Sequence, residues 1–351
     1  MVVSGLVHMV HSKLMSNFDQ TTLPESMARH RATSFDEILK HEFPPLHDCW
    51  YLSGATASGK TRVAIQLAAA IDAEIISVDS MAVYVGMDIG TAKPTSRELS
   101  QVPHHLLDVV PPNSDFNLAE YLTLAHQAAA EIISRGKQVL FVGGTPLYLK
   151  SLLRGVSEGP PADEDFRREV ESEVEKVGIE ALRKRLEQVD PLTAAKLHPN
   201  DKRRMIRALE VYKLTGKPIS HMQTHFDEVA SSPCERAFVL SRDRSQLHDR
   251  INARVEQMFE AGLVEEVTNL RGKYGEFSKT SLQGVGYREV LQLLDGELPL
   301  EEVVERTKIR TRRFARRQET WFRGLEECQW IAVDELSEQE IVDRVLSDQN
   351  L

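Results

Sequence analysis

Short apolar runs alternate with longer amphipathic segments along much of the chain. The runs at about residues 48–53, 74–78, 138–142 and 237–240 predict buried strands. Between them, apolar residues recur at helical spacing and predict helices. Buried strands that alternate with helices are typical of a parallel sheet. The pattern therefore predicts an α/β fold, with a parallel sheet core flanked by helices.

Changes in composition divide the chain into successive segments. Prolines break the first of them, and Glu, Arg and Leu at helical spacing dominate a later one. We expect a poorly ordered N-terminal extension at 1–46, the first part of the α/β core at 47–158, a helical insertion domain at 159–233, a return to the core with basic C-terminal helices at 234–335, and a short polar tail at 336–351.

Composition and charge exclude several classes of protein. The chain has 351 residues and a formal net charge of −10, which argues against a protein that coats nucleic acid without selectivity. Cys49, Cys234 and Cys328 lie far apart without a C-x-x-C motif, so neither a disulfide framework nor a zinc site is indicated. No apolar run is long enough to span a membrane. We expect a cytoplasmic protein without membrane contact.

The segment between Ser53 and Arg62 fits the G-x-x-x-x-G-K-[ST] pattern of a phosphate-binding loop (P-loop). A strand is predicted before it and a helix after it, as the motif requires. Backbone amides and the lysine of such a loop bind phosphate oxygens, and the final hydroxyl can bind Mg²⁺. This phosphate loop consists of Gly54, Ala55, Thr56, Ala57, Ser58, Gly59, Lys60 and Thr61. We expect an anionic ligand with at least two phosphates.

A carboxylate follows one of the predicted strands. The strand at 138–142 ends in Gly143, Gly144 and Thr145 and offers no acid, whereas the strand at 74–78 ends at Asp79. The carboxyl ends of parallel strands are where such sheets place their ligands. Asp79 is therefore expected beside Lys60, as a metal-associated group, a general base or a helix N-cap.

Two further segments carry polar residues whose role the sequence leaves open. Thr91 and Lys93 lie on a loop with Gly90 and Pro94, which suits either a ligand contact or an ordinary surface turn. His104 and His105 are adjacent on an extended segment, so their side chains point to opposite faces. A structural role for these histidines is favoured over metal binding.

Basic residues cluster in two places. Lys202, Arg203, Arg204 and Arg207 follow a predicted helix cap, and a solvated helix face explains them adequately. The segment 307–323 interleaves many arginines with aromatic residues and has no clean apolar stripe. Arginines beside aromatic rings suit phosphate contacts and base stacking, so this segment is predicted to bind nucleic acid.

Taken together, these motifs resemble the tRNA dimethylallyltransferases, also called tRNA isopentenyltransferases, from about residue 48 to residue 324. Ala55 stands where that family often has proline, a departure that changes no chemical group. The matching segments are the phosphate loop, Val78-Asp79-Ser80 with Tyr84, residues 86–94, Pro103-His104-His105, Gly143-Gly144-Thr145, His198-Pro199-Asn200-Asp201, residues 207–211, Leu247-His248 with Arg250, residues 286–289, and Arg316-Arg317-Gln318 with Thr320-Trp321-Phe322.

The resemblance implies a reaction. A dimethylallyl group would pass from dimethylallyl diphosphate to N6 of the adenosine immediately 3′ of the anticodon, in tRNAs that read codons starting with U. The partners would be the anticodon stem-loop of tRNA and the diphosphate, and the expected state is a monomer. Because intact diphosphate leaves, the phosphate loop would serve as an anion cradle, with Mg²⁺ as cofactor.

The resemblance also implies roles for individual residues. Asp79 would accept the N6 proton and Thr145 would bond near that amine, while Lys60, Arg250 and Thr61 with Mg²⁺ would hold the diphosphate. The implied tRNA contacts are Asp79, Ser80, Met81, Ala82, Thr145, Arg167, Arg203, Arg204, Met205, Ile206, Arg207, Arg312, Arg313, Arg316 and Arg317.

A small-molecule kinase is the alternative interpretation of the phosphate loop. In that case ATP would be the phosphate donor and the helical insertion would act as a lid. The kinase interpretation explains the loop equally well but gives the basic segment 307–323 no role.

Overall fold

The computed structural model describes residues 43–156, 159–160, 162–222 and 234–347. The predicted N-terminal extension at 1–46 lies outside these ranges except for residues 43–46. The end of the predicted insertion, residues 223–233, also lies outside them, as do residues 348–351 at the end of the predicted tail.

A parallel sheet forms the centre of the fold, which confirms the predicted α/β class. In the described part of the chain its six strands lie in the order β3-β2-β4-β1-β5-β6, and each pair of neighbours runs parallel. The strands are β1 (Trp50–Gly54), β2 (Ala73–Val78), β3 (His104–His105), β4 (Gln138–Gly143), β5 (Ala237–Ser241) and β6 (Gln329–Ala332).

Helices cover both faces of this sheet. Before the insertion they are α1 (Lys60–Ala70), α2 (Ser96–Leu99), α3 (Leu118–Ser134) and α4 (Pro146–Arg154). After it they are α10 (Arg244–Glu260), α11 (Leu263–Tyr274), a 3-10 turn (Ser281–Gln283), α12 (Tyr287–Leu294), α13 (Leu300–Phe322) and α14 (Glu338–Ser347). No helix within the described ranges is both long and apolar enough to cross a bilayer.

The strands are apolar on both sides because both faces of the sheet are buried. Neighbouring residues point to opposite faces. Tyr51 and Ile76 therefore belong to the core cluster that includes residues of α3 and α4, whereas Leu52 and Ile75 belong to the cluster that includes residues of α1 and α14. This two-sided packing explains why the sequence shows continuous apolar runs rather than alternation.

Helices fill the segment for which the sequence predicts a helical insertion. They are α5 (Glu164–Val177), α6 (Ile179–Val189), α7 (Pro191–Lys196), α8 (Lys202–Thr215) and α9 (Ile219–Met222). Phe166, Leu186 and Leu209 belong to a separate small core. The carboxylate of the buried Glu210 accepts hydrogen bonds from Arg167 and Arg207 and so ties α5 to α8.

The structure of the C-terminal segment differs from the polar tail that the sequence predicts. A polar tail is predicted over 336–351, yet β6 adds an unpredicted edge strand just before it and α14 lies within it. Ile341, Val342 and Val345 of α14 are buried in the cluster that also contains α1 residues. These apolar residues share one face of an otherwise polar helix, so the segment's average composition conceals its packed side.

Truncating Val345 in α14 should destabilise the fold. Val345 is fully buried, so Val345→Ala removes apolar contacts and should lower the free energy of unfolding by about 2 kcal/mol. Urea unfolding followed by circular dichroism measures this change. The neighbouring exposed substitution Arg344→Ala is the control and should stay within about 0.5 kcal/mol. Equal stabilities of the two variants would show that α14 does not contribute to the core.

Candidate active site at the carboxyl ends of the strands

A large cavity lies where β1, β2 and β4 end. Its volume is about 1360 Å³. The phosphate loop lines it together with the segment after β2 and residues of α10 and α13. The lining includes residues 56–61, 79–82, 90–94, 143–144, Arg242, Arg250, Arg254, Arg310, Arg313, Phe314, Arg317 and Gln318. The sheet therefore brings distant parts of the chain to one opening.

The phosphate loop has the backbone that its motif requires. Gly54 and Gly59 have φ values of 151° and 106°, which favour glycine. A Cβ on Gly54 would lie 2.6 Å from the Leu240 carbonyl oxygen, so a side chain does not fit there. Helix α1 begins at Lys60, and its first amides are available to an anion. The Lys60 amine donates hydrogen bonds to the carbonyls of Gly54 and Ala55, both at 2.8 Å.

Three arginines join Lys60 around the phosphate loop, and we call these four residues the cation nest. Arg242 follows β5 and donates from Nε to the Ser58 carbonyl at 3.3 Å. Arg250 on α10 donates from Nε to the Ala57 carbonyl at 2.9 Å. Arg254, one helical turn after Arg250, is also part of the cavity lining.

The electrostatics of the cation nest favour an anionic ligand. The pKa of Lys60 falls to about 7, chiefly through burial and next through the charge of Arg254, while Asp79 opposes the shift. Burial and the charge of Arg250 lower the pKa of Arg254. Burial and the charge of Arg242 likewise lower the pKa of Arg250. These cations repel one another, and a bound polyanion would relieve that repulsion.

The Ser58 side chain points to the same ligand chemistry. Its hydroxyl is buried and has no hydrogen-bond partner among the described residues. Buried hydroxyls usually have a partner, so a missing partner needs an explanation. A phosphate oxygen in the phosphate loop would supply one.

Asp79 faces the cavity that contains the cation nest. It directly follows β2 and is half-buried, and its Oδ1 accepts hydrogen bonds from the amides of Met81 at 2.8 Å and Ala82 at 3.2 Å. The predicted role of a helix N-cap is wrong, because a turn rather than a helix follows β2, and Asp79 caps that turn instead. These bonds hold the carboxylate in place and are compatible with a second role as a base.

Thr145 lies next to the Asp79 segment because the ends of β2 and β4 approach closely. A Cβ on Gly143 would lie 2.0 Å from the Val78 carbonyl oxygen, so only glycine fits. The Thr145 amide donates to that same carbonyl at 3.1 Å, and its hydroxyl accepts from the Ser80 amide at 3.0 Å. Thr145 does not itself line the cavity but supports the segment that does.

Gln318 of α13 connects the two halves of the site. The side chain is 4% exposed. Its Oε1 accepts a hydrogen bond from the Thr56 amide at 2.9 Å, and its Nε2 donates to the Gly144 carbonyl at 2.5 Å. One amide group therefore joins the phosphate loop to the end of β4.

Residues 90–94 of the loop at 86–94 line the cavity, and Glu266 and Tyr287 contact the loop from the side away from it. The Glu266 carboxylate accepts hydrogen bonds from the amides of Asp88 at 3.0 Å and Ile89 at 2.7 Å, and from the Tyr287 hydroxyl at 2.6 Å. A Cβ on Gly90 would lie 2.4 Å from the Tyr287 ring. The loop is therefore packed rather than a free surface turn.

Lys93 and the two histidines have structural partners. The Lys93 amine bonds to the Asp88 and Asp108 carboxylates at 2.7 Å and 2.6 Å. His105 bonds to the Glu74 carboxylate at 2.7 Å. His104 bonds through its ring to the Val102 carbonyl at 2.8 Å. The expectation of a structural role for the histidines agrees with these contacts.

The predicted tRNA contacts divide between two locations. Ser80, Met81, Ala82, Arg313 and Arg317 line the cavity. Arg316 is exposed on α13, and Arg312 bonds to Asn252 on α10. By contrast, none of the described residues of the predicted insertion, 159–160 and 162–222, lines the cavity. These insertion residues therefore lie outside the cavity.

Within the insertion, the predicted contact residues differ in exposure. The side chains of Met205 and Ile206 are buried in the insertion core, so an RNA could meet these residues only through their backbone. Arg167 and Arg207 are half-exposed and bond to Glu210. Arg203 and Arg204 are exposed, although Arg204 also pairs with Asp201.

Sequence reasoning missed Arg242, Arg254 and the bridging role of Gln318. Arg254 stands four residues after Arg250 on one helix, a spacing that places both on the same face. Arg242 follows the predicted strand at 237–240. Because ligands bind at the carboxyl ends of parallel strands, the sequence could have indicated Arg242 as a site residue. Nothing in the sequence indicates the partners of Gln318, because both are more than 170 residues away.

The donor set for a metal is sparse. No group of three or more His, Cys, Asp and Glu side chains within the described part of the chain is placed to hold a metal ion. Mg²⁺ does not need such a cage, because it keeps several waters and binds substrate phosphates. Thr61 lines the cavity at the start of α1, so its hydroxyl fits this pattern.

Comparison with known proteins agrees with this geometry. Residues 82–325 match the family described as IPP transferase, and residues 47–115 match isopentenyl transferase. A tRNA dimethylallyltransferase of Rhodopirellula baltica is 49% identical over 313 residues, covering 87% of this chain and 90% of that relative.

Solved structures give the same result. A full-length tRNA isopentenylpyrophosphate transferase of Bacillus halodurans has a TM-score of 0.61 at 39% identity, covering 86% of this chain and 96% of that chain. A eukaryotic dimethylallyltransferase acting on tRNA has a TM-score of 0.70 at 28% identity, covering 86% of this chain and 78% of that chain. From these similarities and the site described above, the chain belongs to the IPP transferase family, the tRNA dimethylallyltransferases.

Proposed function

We propose that the protein transfers a dimethylallyl group from dimethylallyl diphosphate to N6 of the adenosine immediately 3′ of the anticodon in tRNA. The observation that carries this proposal is that Asp79 and the cation nest line one cavity. A carboxylate opposite an anion cradle suits an alkyl transfer in which one side removes a proton and the other receives a leaving diphosphate. The tRNAs would be those that read codons starting with U.

The cation nest stabilises the leaving group. Breaking the C–O bond of the allylic diphosphate places additional negative charge on the diphosphate. Lys60, Arg250, Arg254 and the first amides of α1 surround the place where that charge develops. Groups that are already oriented need no rearrangement as the bond breaks.

Asp79 acts as the base on the other side. An adenine amine is a weak nucleophile because its lone pair is delocalised into the ring, so proton removal during bond formation lowers the barrier. The bonds from the Met81 and Ala82 amides fix the carboxylate. Thr145 supports this segment through Ser80.

Magnesium would be held by the Thr61 hydroxyl, waters and the diphosphate itself. The ion would supply positive charge that neutralises the diphosphate. The residues of this chain bind and orient the same group through Lys60 and the phosphate loop.

The RNA would approach from the side of α13. Arg313, Arg317 and Phe314 line the cavity from one face of this helix, and the Arg317 guanidinium lies 5.9 Å from the Phe314 ring centre. A base in a structured anticodon loop must leave its stack to reach a cavity, at a cost of a few kcal/mol. Backbone contacts with arginines contribute to offsetting this cost.

Other features complete the proposal. The proposed state is a monomer. Cys49, Cys234 and Cys328 are free thiols, which supports a cytoplasmic location. The kinase alternative is not favoured, because the family and the structural relatives are transferases acting on tRNA.

Removing the charge of Asp79 should slow chemistry without weakening RNA binding. Asp79→Asn keeps an oxygen that can accept from the Met81 and Ala82 amides but loses the base, so the rate of transfer should fall about 10²–10⁴-fold. Single-turnover transfer of a labelled dimethylallyl group to an anticodon stem-loop measures the rate. Asp72→Asn, at an exposed position, should leave it unchanged. Parallel loss of RNA affinity and rate in Asp79→Asn would refute the assignment of a base.

Binding of dimethylallyl diphosphate without RNA should take up a proton above pH 7. The pKa of Lys60 is about 7 before binding, and an anion in the cradle raises it. At pH 8 we expect uptake of about 0.9 proton per site. As the pH rises above 7, the affinity should fall, and the fall should approach about tenfold for each pH unit. Isothermal titration calorimetry in buffers of different ionisation enthalpy measures the uptake. Lys60→Arg keeps its charge and should take up almost none; the same uptake in both proteins would contradict this assignment.

RNA affinity should depend on salt through α13. Replacing Arg313 and Arg317 together by Gln should make the slope of log K against log salt shallower by about 1.4–1.8, because two phosphate contacts are lost. Fluorescence anisotropy with an anticodon stem-loop measures the slope. Arg306→Gln, on the same helix but paired with Glu302, is the matched control and should keep the original slope. An unchanged slope in the double variant would place the RNA elsewhere.

A further inference from the structure

Helix α13 presents a continuous set of side chains to the cavity. Arg310, Arg313, Phe314, Arg317 and Gln318 follow the spacing of one helix face and all line it. Arg313 and Arg317 suit RNA phosphates, whereas Arg310 pairs with the buried Glu289 carboxylate and Gln318 is neutral and buried. The helix proposed to meet the RNA therefore also reaches the interior of the site.

Gln318 uses both ends of its amide. The Thr56 amide donates to Oε1, so this hydrogen is committed to α13 rather than to an anion. Nε2 donates to the Gly144 carbonyl, which belongs to the peptide that precedes Thr145. A Cβ on Gly144 would lie 2.6 Å from that nitrogen, so a side chain at this position would displace the Gln318 amide.

The two hydrogen bonds of Gln318 reach two different parts of the proposed site. Thr56 is part of the phosphate loop, in which Lys60 and Arg250 hold the neighbouring carbonyls. Thr145, next to Gly144, bonds to Ser80 beside Asp79. A displacement of α13 at Gln318 therefore moves the diphosphate cradle and the base segment together.

We infer that Gln318 is a positioning residue that couples RNA binding on α13 to the geometry of the diphosphate cradle. The inference rests on the proposed function, because it requires that RNA binds along α13 and a diphosphate binds in the phosphate loop. Coupling between two sites is reciprocal and is measured as the ratio of one ligand's affinities with and without the other.

Binding rather than turnover provides the direct test. An anticodon stem-loop whose target adenosine is replaced by purine riboside lacks the reacting amine, so both ligands can be present without reaction. For the wild-type protein we expect dimethylallyl diphosphate to bind at least about fivefold more tightly when this RNA is saturating. For Gln318→Met, of similar length but without either hydrogen bond, the ratio should fall to about two or less.

A matched control separates this effect from a general substitution effect. Gln339→Met makes the same chemical change on α14, where the exposed side chain bonds only to Asp343 among the contacts the structure gives it. This variant should keep the wild-type ratio. An unchanged ratio in Gln318→Met, or a wild-type ratio of one, would overturn the inference.

A second variant tests the hydrogen bonds themselves. In Gln318→Glu, a protonated carboxyl can both accept from the Thr56 amide and donate to the Gly144 carbonyl, whereas a carboxylate cannot donate. We compare the affinity ratio of Gln318→Glu with that of the wild-type protein at the same pH. The two ratios should be similar at pH 5.5, and the ratio of the variant should be lower at pH 8.5. A purely structural role predicts no such pH-dependent rescue, and this variant decides the question if Gln318→Met does not fold.

The outcome is separable from that of the proposed function. Transfer by the wild-type protein to an unmodified stem-loop tests the function directly. If transfer occurs and the affinity ratio is the same in the wild-type protein and in Gln318→Met, only the coupling role is wrong. If the wild-type protein transfers no dimethylallyl group, the proposed function itself is wrong.

Discussion

The mutual repulsion of the cation nest is the interaction on which the rest of the site depends. Burial lowers the pKa values of Lys60, Arg250 and Arg254, and the neighbouring cations lower them further. Hydrogen bonds to loop carbonyls hold Lys60 and Arg250 in place despite this cost. A ligand with concentrated negative charge is therefore favoured over a neutral one, because it relieves the repulsion. In the proposed reaction, the same arrangement would stabilise the charge that develops when the leaving group departs.

Close approach of the strand ends sets the distance between the phosphate loop and Asp79. At Gly143 a side chain would collide with the Val78 carbonyl, so β2 and β4 end almost in contact. Thr145 then bonds to Ser80, and Asp79 is fixed by the two amides that follow. The phosphate loop belongs to β1, the neighbour of β4 in the sheet. The parallel strands β2 and β1, which flank β4, thus place an acid and an anion site at the same end of the sheet.

The sequence predicts those parts of the fold and site that depend on local pattern. The phosphate loop is a contiguous motif, and Asp79 follows a recognisable strand, so both could be placed before the structure was known. Gln318 could not, because its role depends on how α13 packs against residues far away in the chain. Helix α14 escaped prediction because its apolar face is narrow.

The absence of an acid at the end of β4 is informative once the geometry is known. A phosphate loop that serves γ-phosphate transfer works with a carboxylate that holds the metal and with a residue that orients the nucleophile. Here β4 ends in Gly143 and Gly144, and the Gly144 carbonyl is bound by Gln318 instead. The nearby carboxylate, Asp79, comes from β2 and lies beside the segment supported by Thr145. A site in which the diphosphate stays intact needs the loop only as a cradle. The acid is then free to act on the acceptor, which is the division of labour that an alkyl transfer to an amine requires.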